Sequence, residues 1–483
     1  MTLRPPDPQT VVIFGATGDL TARKLMPALY NLFVEGLLPE KWEVVGCSRT
    51  EMSDDEFREM SWTHVEKHSR TGLDLDQWNE FARHLSYLQA SFSPKGAMHG
   101  LVGRLKEIDR RLQSEGRRLF YCATPPSALP EIVARIGEEG LQKNARIVAE
   151  KPFGHDPSTA RELNRRLHEV FEEDQIFRID HYLGKETVQN ILVFRFANGM
   201  FEPIWNRRYV AWVEIDVAEM LGIENRGKFY EEAGAMRDIV QNHMLQLLAL
   251  VAMEPPARFE AESLRDEKVK LLRAIHPIRR RERDMVRGQY VAGEVEGVLV
   301  PGYREEADVS PNSMTETFVA MRLRVENWRW AGVPFLLRTG KRLARSVTQV
   351  TIYFHDAPQL LFEESGLDRP KQNHLAIRIQ PNEGITLTFD AKVPGPEMRV
   401  QPVNMNFHYK ESFMTKPAEA YERLLHDVMV GDRTLFMRAD EIERAWEVVE
   451  PVLDPMPAIP YFAGTWGPEQ AHSLIPSGRW HLG

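Results

Sequence analysis

The sequence from residue 11 to residue 20 reads Val11-Val12-Ile13-Phe14-Gly15-Ala16-Thr17-Gly18-Asp19-Leu20. Its apolar first half is typical of a buried strand, and a helical pattern follows to about Phe33. Gly15 permits a tight turn between the two, and Gly18 lets the backbone approach a pyrophosphate at the helix N-terminus. Because the spacing is G-x-x-G and not G-x-G-x-x-G, a purely structural turn remains an alternative.

Outward from this turn, strand and helix patterns alternate to about residue 180. Further strands are predicted at Trp42–Cys47, Leu119–Ala123 and Ala145–Ala149. This alternation predicts a parallel sheet with helices on its faces, as in a Rossmann-like, doubly wound α/β domain. Pro27 falls inside the first helical pattern and should kink the helix or force it to restart.

Beyond about residue 200, apolar and polar residues alternate with period two. In the first such segment, Val213, Ile215 and Val217 alternate with Glu214 and Asp216. The pattern predicts a large, mainly antiparallel sheet with one polar face.

Other segments complete this second region. Pro381-Asn382-Glu383-Gly384 predicts a hairpin, and helices are expected over about 233–253 and 417–429. We therefore predict a Rossmann-like α/β domain over residues 1–185, followed by an α+β domain over residues 186–483.

Composition excludes several classes of protein. With 483 residues, 43% hydrophobic and 27% charged, the chain can bury enough apolar surface to fold. A formal charge of −9 does not indicate the basic surface that nucleic-acid binding requires. No apolar run reaches the ~20 residues of a membrane span. Cys47 and Cys122 cannot form a disulfide framework, so we expect a reducing, cytoplasmic location.

The second predicted strand ends at Cys47-Ser48-Arg49. Folds that prefer NAD usually place an acidic residue here, where it binds the ribose 2′-hydroxyl. Arg49 is suited instead to bidentate contact with a 2′-phosphate. The context favours NADP, although an ordinary surface arginine would look the same.

The densest polar group is Arg178-Ile179-Asp180-His181-Tyr182-Leu183-Gly184-Lys185-Glu186. It follows an apolar strand, at the end of the sheet where open α/β folds bind ligands. His181, Tyr182 and Lys185 would suit a phosphate dianion, although a salt-bridged loop is an equal alternative on the residues alone.

His243 stands in the apolar stripe of the predicted helix over 233–253, where a leucine would be expected. A hydrogen-bonded core histidine is the ordinary explanation, and a general base is the alternative. Asp238 should lie on a different face of that helix and so make a poor orienting partner. Lys341, in Arg338-Thr339-Gly340-Lys341, is no Walker lysine but could place an ammonium group near a phosphate or alkoxide. No residue pattern indicates a metal site.

Together these residues resemble the glucose-6-phosphate dehydrogenase family over essentially the full length. Residues Gly15 to Leu25 resemble its coenzyme turn, and Glu150-Lys151-Pro152-Phe153-Gly154 resembles its inter-domain hinge. Arg178 to Glu186 reproduces its nine-residue signature without a change, and residues 329–334 and 338–343 add two distant matches.

The resemblance implies oxidation of glucose 6-phosphate with NADP, the first step of the oxidative pentose phosphate pathway. It implies His243 as the general base and Asp180 as the carboxylate that orients it. It implies substrate contacts from His181, Tyr182, Lys185, Glu219, Asp238, Lys341 and Lys151. It implies coenzyme contacts from Gly15, Thr17, Gly18, Asp19, Leu20, Arg49, Ser91 and Lys151, with Phe92 beside Ser91.

The resemblance also implies a homodimer or homotetramer built through the C-terminal sheet. One position departs from the family pattern, because Ser346 stands where a second substrate lysine is common, with Arg345 beside it. Two other functions remain open at this stage. The chain could oxidise a non-phosphorylated sugar, or it could be a catalytically silent NADP-binding regulator.

Overall fold

The computed structural model describes residues 5–91, 98–357, 372–413 and 418–482. Phe92 lies outside them. The described chain divides into two compact units. The first unit comprises residues 1–186, 257–265 and 418–443, and the second comprises 187–256, 266–417 and 444–483. Residues 257–265 and 418–443 therefore belong to the first unit, whereas the sequence-based prediction placed both segments in the second domain, 186–483.

The first unit is built on a six-stranded parallel sheet in the order β3-β2-β1-β4-β5-β6. This is the strand order of a dinucleotide-binding fold, so the predicted Rossmann-like architecture is confirmed. The strands are buried along most of their length, as expected for a sheet covered on both faces. They are β1 (Gln9–Phe14), β2 (Trp42–Ser48), β3 (Leu85–Gln89), β4 (Arg118–Cys122), β5 (Ala145–Ala149) and β6 (Ile176–Arg178).

Helices connect these strands. The first connection contains a π-helical turn, Thr21–Leu25, which continues into an α-helix at Met26 while the backbone keeps helical angles. Pro27 follows this turn directly, so the irregular hydrogen bonding lies where proline has no N–H to donate. The helix runs on through Pro27, and the predicted restart is not observed. The α-helices up to β6 are Met26–Val34, Asp54–His68, Leu75–Ala82, His99–Leu112, Leu129–Glu138 and Pro157–His168.

The segment 418–443 joins the first unit through a helix, Ala420–Val430. The buried carboxylate of Glu422 accepts hydrogen bonds from Asn31 at 2.8 Å and from Arg70 at 2.7 Å. Arg146 donates to the carbonyls of Val428 and Met429 at the end of the helix. The sequence pattern predicts a helix over about 417–429, close to the observed bounds, but only these long-range contacts assign it to the first unit.

The second unit contains a nine-stranded sheet in the order β16-β15-β14-β13-β7-β12-β11-β8-β17. Among the strands that the structure describes in this sheet, β7–β12 and β8–β17 are the parallel pairs and the others are antiparallel, so the predicted mainly antiparallel sheet is confirmed. The strands are β7 (Val210–Ala218), β8 (Met285–Val291), β11 (Phe318–Arg324), β12 (Pro334–Gly340), β13 (Val347–Phe354), β14 (His374–Gln380), β15 (Gly384–Lys392), β16 (Val400–His408) and β17 (Ile459–Phe462), with β9 (Gly293–Val295) and β10 (Val298–Val300) forming a separate hairpin.

The predicted hairpin over 381–384 joins β14 to β15. Apart from short 3-10 helices, the other described helices in chain order are Glu186–Phe196, Gly227–Ala235, a π-helix Met236–Met244, then Leu245–Ala252, Ala261–Ala274, Arg281–Asp284, Tyr409–Phe413 and Ala439–Val449. In the part of the chain that the structure describes, no helix has both the length and the apolar character to cross a bilayer.

The expectation of a polar face on β7 is wrong at Glu214 and Asp216, which are both fully buried. Arg338 donates to Asp216 at 2.6 Å, and the backbone N–H of His481 donates to Glu214 at 2.9 Å. Burial raises the pKa of both carboxyl groups. The C-terminal tail covers this face, a long-range contact that strand periodicity does not indicate.

Candidate active site

The glycine turn after β1 leaves no room for a side chain at its first position. Gly15 has φ +86°, and a Cβ there would lie 2.3 Å from the carbonyl oxygen of Ala123. The Gly18 N–H donates to the Gly15 carbonyl at 2.9 Å, and the Thr21 hydroxyl donates to the same oxygen at 3.1 Å. The turn is therefore held tightly where β1 passes into the helix, which is the place where dinucleotide-binding folds hold a pyrophosphate.

The other predicted residues of this turn differ in their surroundings. The Thr17 hydroxyl donates to Ser48 Oγ at 3.2 Å, which ties the turn to the end of β2. Asp19 is exposed and forms an ion pair with Arg23 at 2.7 Å. Leu20 is half-buried at the helix start.

Arg49 and Ser91 lie just beyond the carboxyl ends of β2 and β3. Both side chains are exposed. Within the described residues, no carboxylate forms an ion pair with the Arg49 guanidinium, whose fork therefore suits an anionic ligand. Since the carboxyl ends of parallel strands meet at one edge of a sheet, these residues share an edge with the glycine turn.

The signature after β6 folds into a tight turn. Asp180 is buried, and its Oδ1 accepts from the Tyr182 N–H at 2.9 Å. The Lys185 N–H donates to the Tyr182 carbonyl at 3.1 Å, and Lys185 Nζ lies 4.7 Å from the centre of the Tyr182 ring. The His181 ring centre lies 5.1 Å from that of Tyr182. The turn thus brings the three predicted phosphate-binding side chains together.

In the second unit, a glycine bend redirects the chain before the segment that carries His243. Gly234 has φ +59°, and a Cβ there would lie 2.6 Å from Glu316 Oε1. Glu316 accepts from the Met236 N–H at 3.1 Å, and its own carbonyl accepts from the Ala235 N–H at 3.0 Å. The bend therefore fixes the start of the π-helix Met236–Met244.

This π-helix changes the geometry expected for Asp238 and His243. Hydrogen bonds in a π-helix join residues five apart, so Asp238 and His243 lie on the same side of it. The expectation that they occupy different faces assumed α-helical spacing and is wrong. Both side chains are buried, and the His243 N–H donates to Asn242 Oδ1 at 2.6 Å. π-Helical turns are rare and occur often at functional sites.

Glu219 and Lys341 follow the carboxyl ends of β7 and β12, which pair in parallel. The Lys341 ammonium donates to the Glu219 carboxylate. Lys341 Nζ lies 5.8 Å from the centre of the Tyr230 ring. The pKa of the Tyr230 hydroxyl is far above its ordinary value, chiefly through burial and then through the charges of Asp238 and Glu219. Three predicted substrate residues thus surround one buried tyrosine.

At the position of the missing lysine, Ser346 Oγ accepts from the Met220 N–H at 2.9 Å. Ser346 therefore ties together the loops that follow β7 and β12. Arg345 is exposed. Its suggested replacement of the lysine stays a prediction.

Family models match nearly the whole described chain. The glucose-6-phosphate dehydrogenase NAD-binding domain matches residues 12–190, and the glucose-6-phosphate dehydrogenase C-terminal domain matches residues 192–481. This chain belongs to the glucose-6-phosphate dehydrogenase family.

Individual members of the glucose-6-phosphate dehydrogenase family are similar to this chain in sequence and in structure over nearly its full length. The chain is 48% identical to glucose-6-phosphate 1-dehydrogenase of Aggregatibacter actinomycetemcomitans, over 97% of this chain and 96% of the relative. A solved glucose-6-phosphate dehydrogenase in complex with its substrate glucose-6-phosphate superposes with a TM-score of 0.91, at 34% identity and full coverage of both chains. The Mycobacterium avium enzyme gives a TM-score of 0.84, at 38% identity and 99% and 98% coverage.

One group in this family member escaped sequence analysis. Glu150 directly follows β5. Its carboxylate accepts a hydrogen bond from the Tyr121 hydroxyl at 2.6 Å, and Tyr421 is a second hydrogen-bond partner. Enclosure of the carboxyl group raises the pKa of Glu150 to about 7, aided by Asp180 and opposed by the tyrosines and Lys151. Glu150 beside Lys151 in the quoted hinge motif was the one available signal.

Proposed function

We propose that this member of the glucose-6-phosphate dehydrogenase family oxidises D-glucose 6-phosphate to 6-phospho-D-glucono-1,5-lactone with NADP⁺. The observation that carries the proposal is the match of both family domains over almost the whole chain. The chain would act in the cytoplasm, since both of its cysteines are unpaired and buried.

Residues at the sheet edge of the first unit would hold the coenzyme. The Gly15–Leu20 turn would bind the pyrophosphate and Arg49 the 2′-phosphate. Ser91 would lie near the adenosine half of the coenzyme, and Lys151 between the coenzyme and the substrate. When bound, NADP⁺ supplies the acceptor for the hydride that leaves C1 of the sugar. Residues 1–185 would form this coenzyme domain, and residues 186–483 the substrate and oligomerisation domain.

His243 would take the proton from the C1 hydroxyl, and Asp180 would orient the imidazole and stabilise its charge. The base must be neutral at the start, so activity should fall in acid as the imidazole becomes protonated. Burial of His243 and its placement in a π-helical turn support a fixed position for the ring.

Charged groups at both ends of the sugar would position C1. His181, Tyr182 and Lys185 would bind the phosphate, whose remote binding energy orients the reacting carbon. Glu219 and Asp238 would bind sugar hydroxyls, Lys341 would also contact the substrate, and Lys151 would lie between substrate and coenzyme. The grouping of these side chains within each unit supports the assignment.

The test compares the wild type with His243→Asn and a matched control, His99→Asn, in which the replaced histidine is 75% exposed. NADPH formation is followed with glucose 6-phosphate or glucose, and with NADP⁺ or NAD⁺. We expect turnover only with the phosphorylated sugar, faster with NADP⁺, unchanged in His99→Asn and lower by about 10²-fold or more in His243→Asn.

Each other result rejects a named part of the proposal. Turnover of glucose at an equal rate would reject the phosphate site, and equal rates with NAD⁺ would reject the role of Arg49. Tight NADP⁺ binding without turnover would favour a silent regulator.

A further inference from the structure

An arginine-lined cleft lies at the edge of the first unit's sheet opposite the glycine turn. It has a volume of about 620 Å³ and is formed where β1, β4 and β5 begin and where the helix Ala420–Val430 ends. Such a volume is typical of small-molecule sites. Ten of the twelve lining residues are polar or charged, so a polar ligand suits the cleft.

The cations of this cleft lie deeper than its anions. Arg118 is buried, and Arg117, Arg146 and Arg433 are half-buried. The lining carboxylates, by contrast, are exposed: Glu115, Glu172 and Asp174. A negatively charged group entering the cleft would therefore meet guanidinium groups at its base.

Three of the four arginines have carboxylate partners. Arg117 pairs with Glu115 at 3.1 Å and Arg433 with Glu262 at 3.3 Å, and Arg118 pairs with Asp109. Among residues 5–91, 98–357, 372–413 and 418–482, no carboxylate forms an ion pair with Arg146. Burial is the main cause that lowers the pKa of Arg146; the charge of Arg117 adds to it, and the more distant carboxylates of Asp7 and Asp174 oppose it.

One nitrogen of the Arg146 guanidinium is held by the C-terminal end of the helix Ala420–Val430. Nη1 donates to the carbonyls of Val428 at 3.0 Å and Met429 at 2.7 Å. A Cβ at Gly431 would lie 2.7 Å from Nη2, so the glycine leaves space beside the rest of the group. Nη2 and Nε form no hydrogen bond with any described residue, and they present a fork that matches a phosphoryl group.

We propose that this cleft binds a small phosphate-bearing molecule, with Arg146 as its central contact and Arg117 and Arg433 beside it. Such a ligand would relieve the repulsion between neighbouring guanidinium groups. Guanidinium groups recognise phosphate bidentately, and several of them can share its oxygens. The site is independent of the coenzyme turn, which lies at the other edge of the sheet.

The experiment titrates inorganic pyrophosphate by calorimetry into the enzyme saturated with NADPH and glucose 6-phosphate. This pair fills the sites of the proposed reaction without turnover. We expect binding that weakens with salt and that falls at least about tenfold in Arg146→Gln. Arg165→Gln, which replaces an arginine with a 58% exposed side chain, is the matched control and should bind as the wild type does.

Glu172→Gln gives a test of opposite sign that leaves the contacts of Arg146 with the Val428 and Met429 carbonyls unchanged. Removing an exposed negative charge from the lining should tighten pyrophosphate binding by about two- to threefold at low salt. Absence of pyrophosphate binding to the saturated wild type, or binding unchanged in both Arg146→Gln and Glu172→Gln, would overturn the proposal. Neither result bears on turnover of the sugar, so failure here is distinct from failure of the proposed function.

Discussion

The Lys341 ammonium pairs with the Glu219 carboxylate at the carboxyl ends of β12 and β7, two adjacent parallel strands. The backbone reinforces this pairing, because the Glu219 N–H donates to the Gly340 carbonyl at 3.0 Å and the Leu343 N–H to the Glu219 carbonyl at 3.0 Å. Lys341 is almost fully buried. A buried ammonium needs its counter-ion, so the two residues should act as one unit.

Glu219→Gln should therefore weaken substrate binding in two ways: it removes the carboxylate itself, and it leaves the buried Lys341 ammonium without its counter-ion. We expect kcat/KM for glucose 6-phosphate to fall by about 10–10²-fold, an effect of roughly 1.5–3 kcal/mol for a charged hydrogen bond. Lys341→Met should cost a similar amount, and the double variant should cost less than the sum. Glu224→Gln, at an exposed position on the loop after β7, is the control. Additive losses would show that the pair is not coupled.

The bend at Gly234 should be required for the His243 segment. Gly234→Ala would place a methyl group against Glu316 and impose positive φ on alanine. We expect a loss of about 1–3 kcal/mol in the free energy of unfolding in urea, with a lower kcat from displacement of the π-helix. Gly199→Ala is the control, since a Cβ there meets no atom within 4 Å. Equal stability of Gly234→Ala and wild type would contradict this account.

Local patterns in the sequence predicted β1, β2 and β5, because a short apolar run bounded by turn residues can be recognised from a few adjacent positions. Burial of Glu214 depends on His481, far along the chain, and no local pattern indicates it. The shared side of Asp238 and His243 was missed because π-helical and α-helical segments have similar residue patterns. Predicted pairing of Asp180 with His243 came from family resemblance alone and stays a prediction.

The outer strand β16 bears on the proposed homodimer or homotetramer. Met405 is 62% exposed on this edge strand, and Phe407 is half-buried nearby. Among the described residues no further strand pairs with the outer side of β16, and an open sheet edge with exposed apolar side chains favours association. We expect a dimer or tetramer mass by light scattering at micromolar concentration, and a shift towards monomer in Met405→Lys. The control is Leu75→Lys, at a 65% exposed leucine of the first unit. A monomeric wild type would reject the assembly.

The enclosed Glu150 carboxyl group should make stability depend on pH. Its pKa is about 7 in the folded chain and near 4.5 when unfolded, so the folded state binds the proton more strongly. The group therefore stabilises the fold less and less as pH rises from about 5 through 7. Glu150→Gln keeps an acceptor for Tyr121 and Tyr421 and removes the charge. We expect its stability relative to wild type to increase by up to about 3 kcal/mol between pH 5 and pH 8, measured by urea unfolding. Glu169→Gln, on an exposed surface, should show no such trend, and a flat difference for Glu150→Gln would mean that the carboxyl group titrates normally.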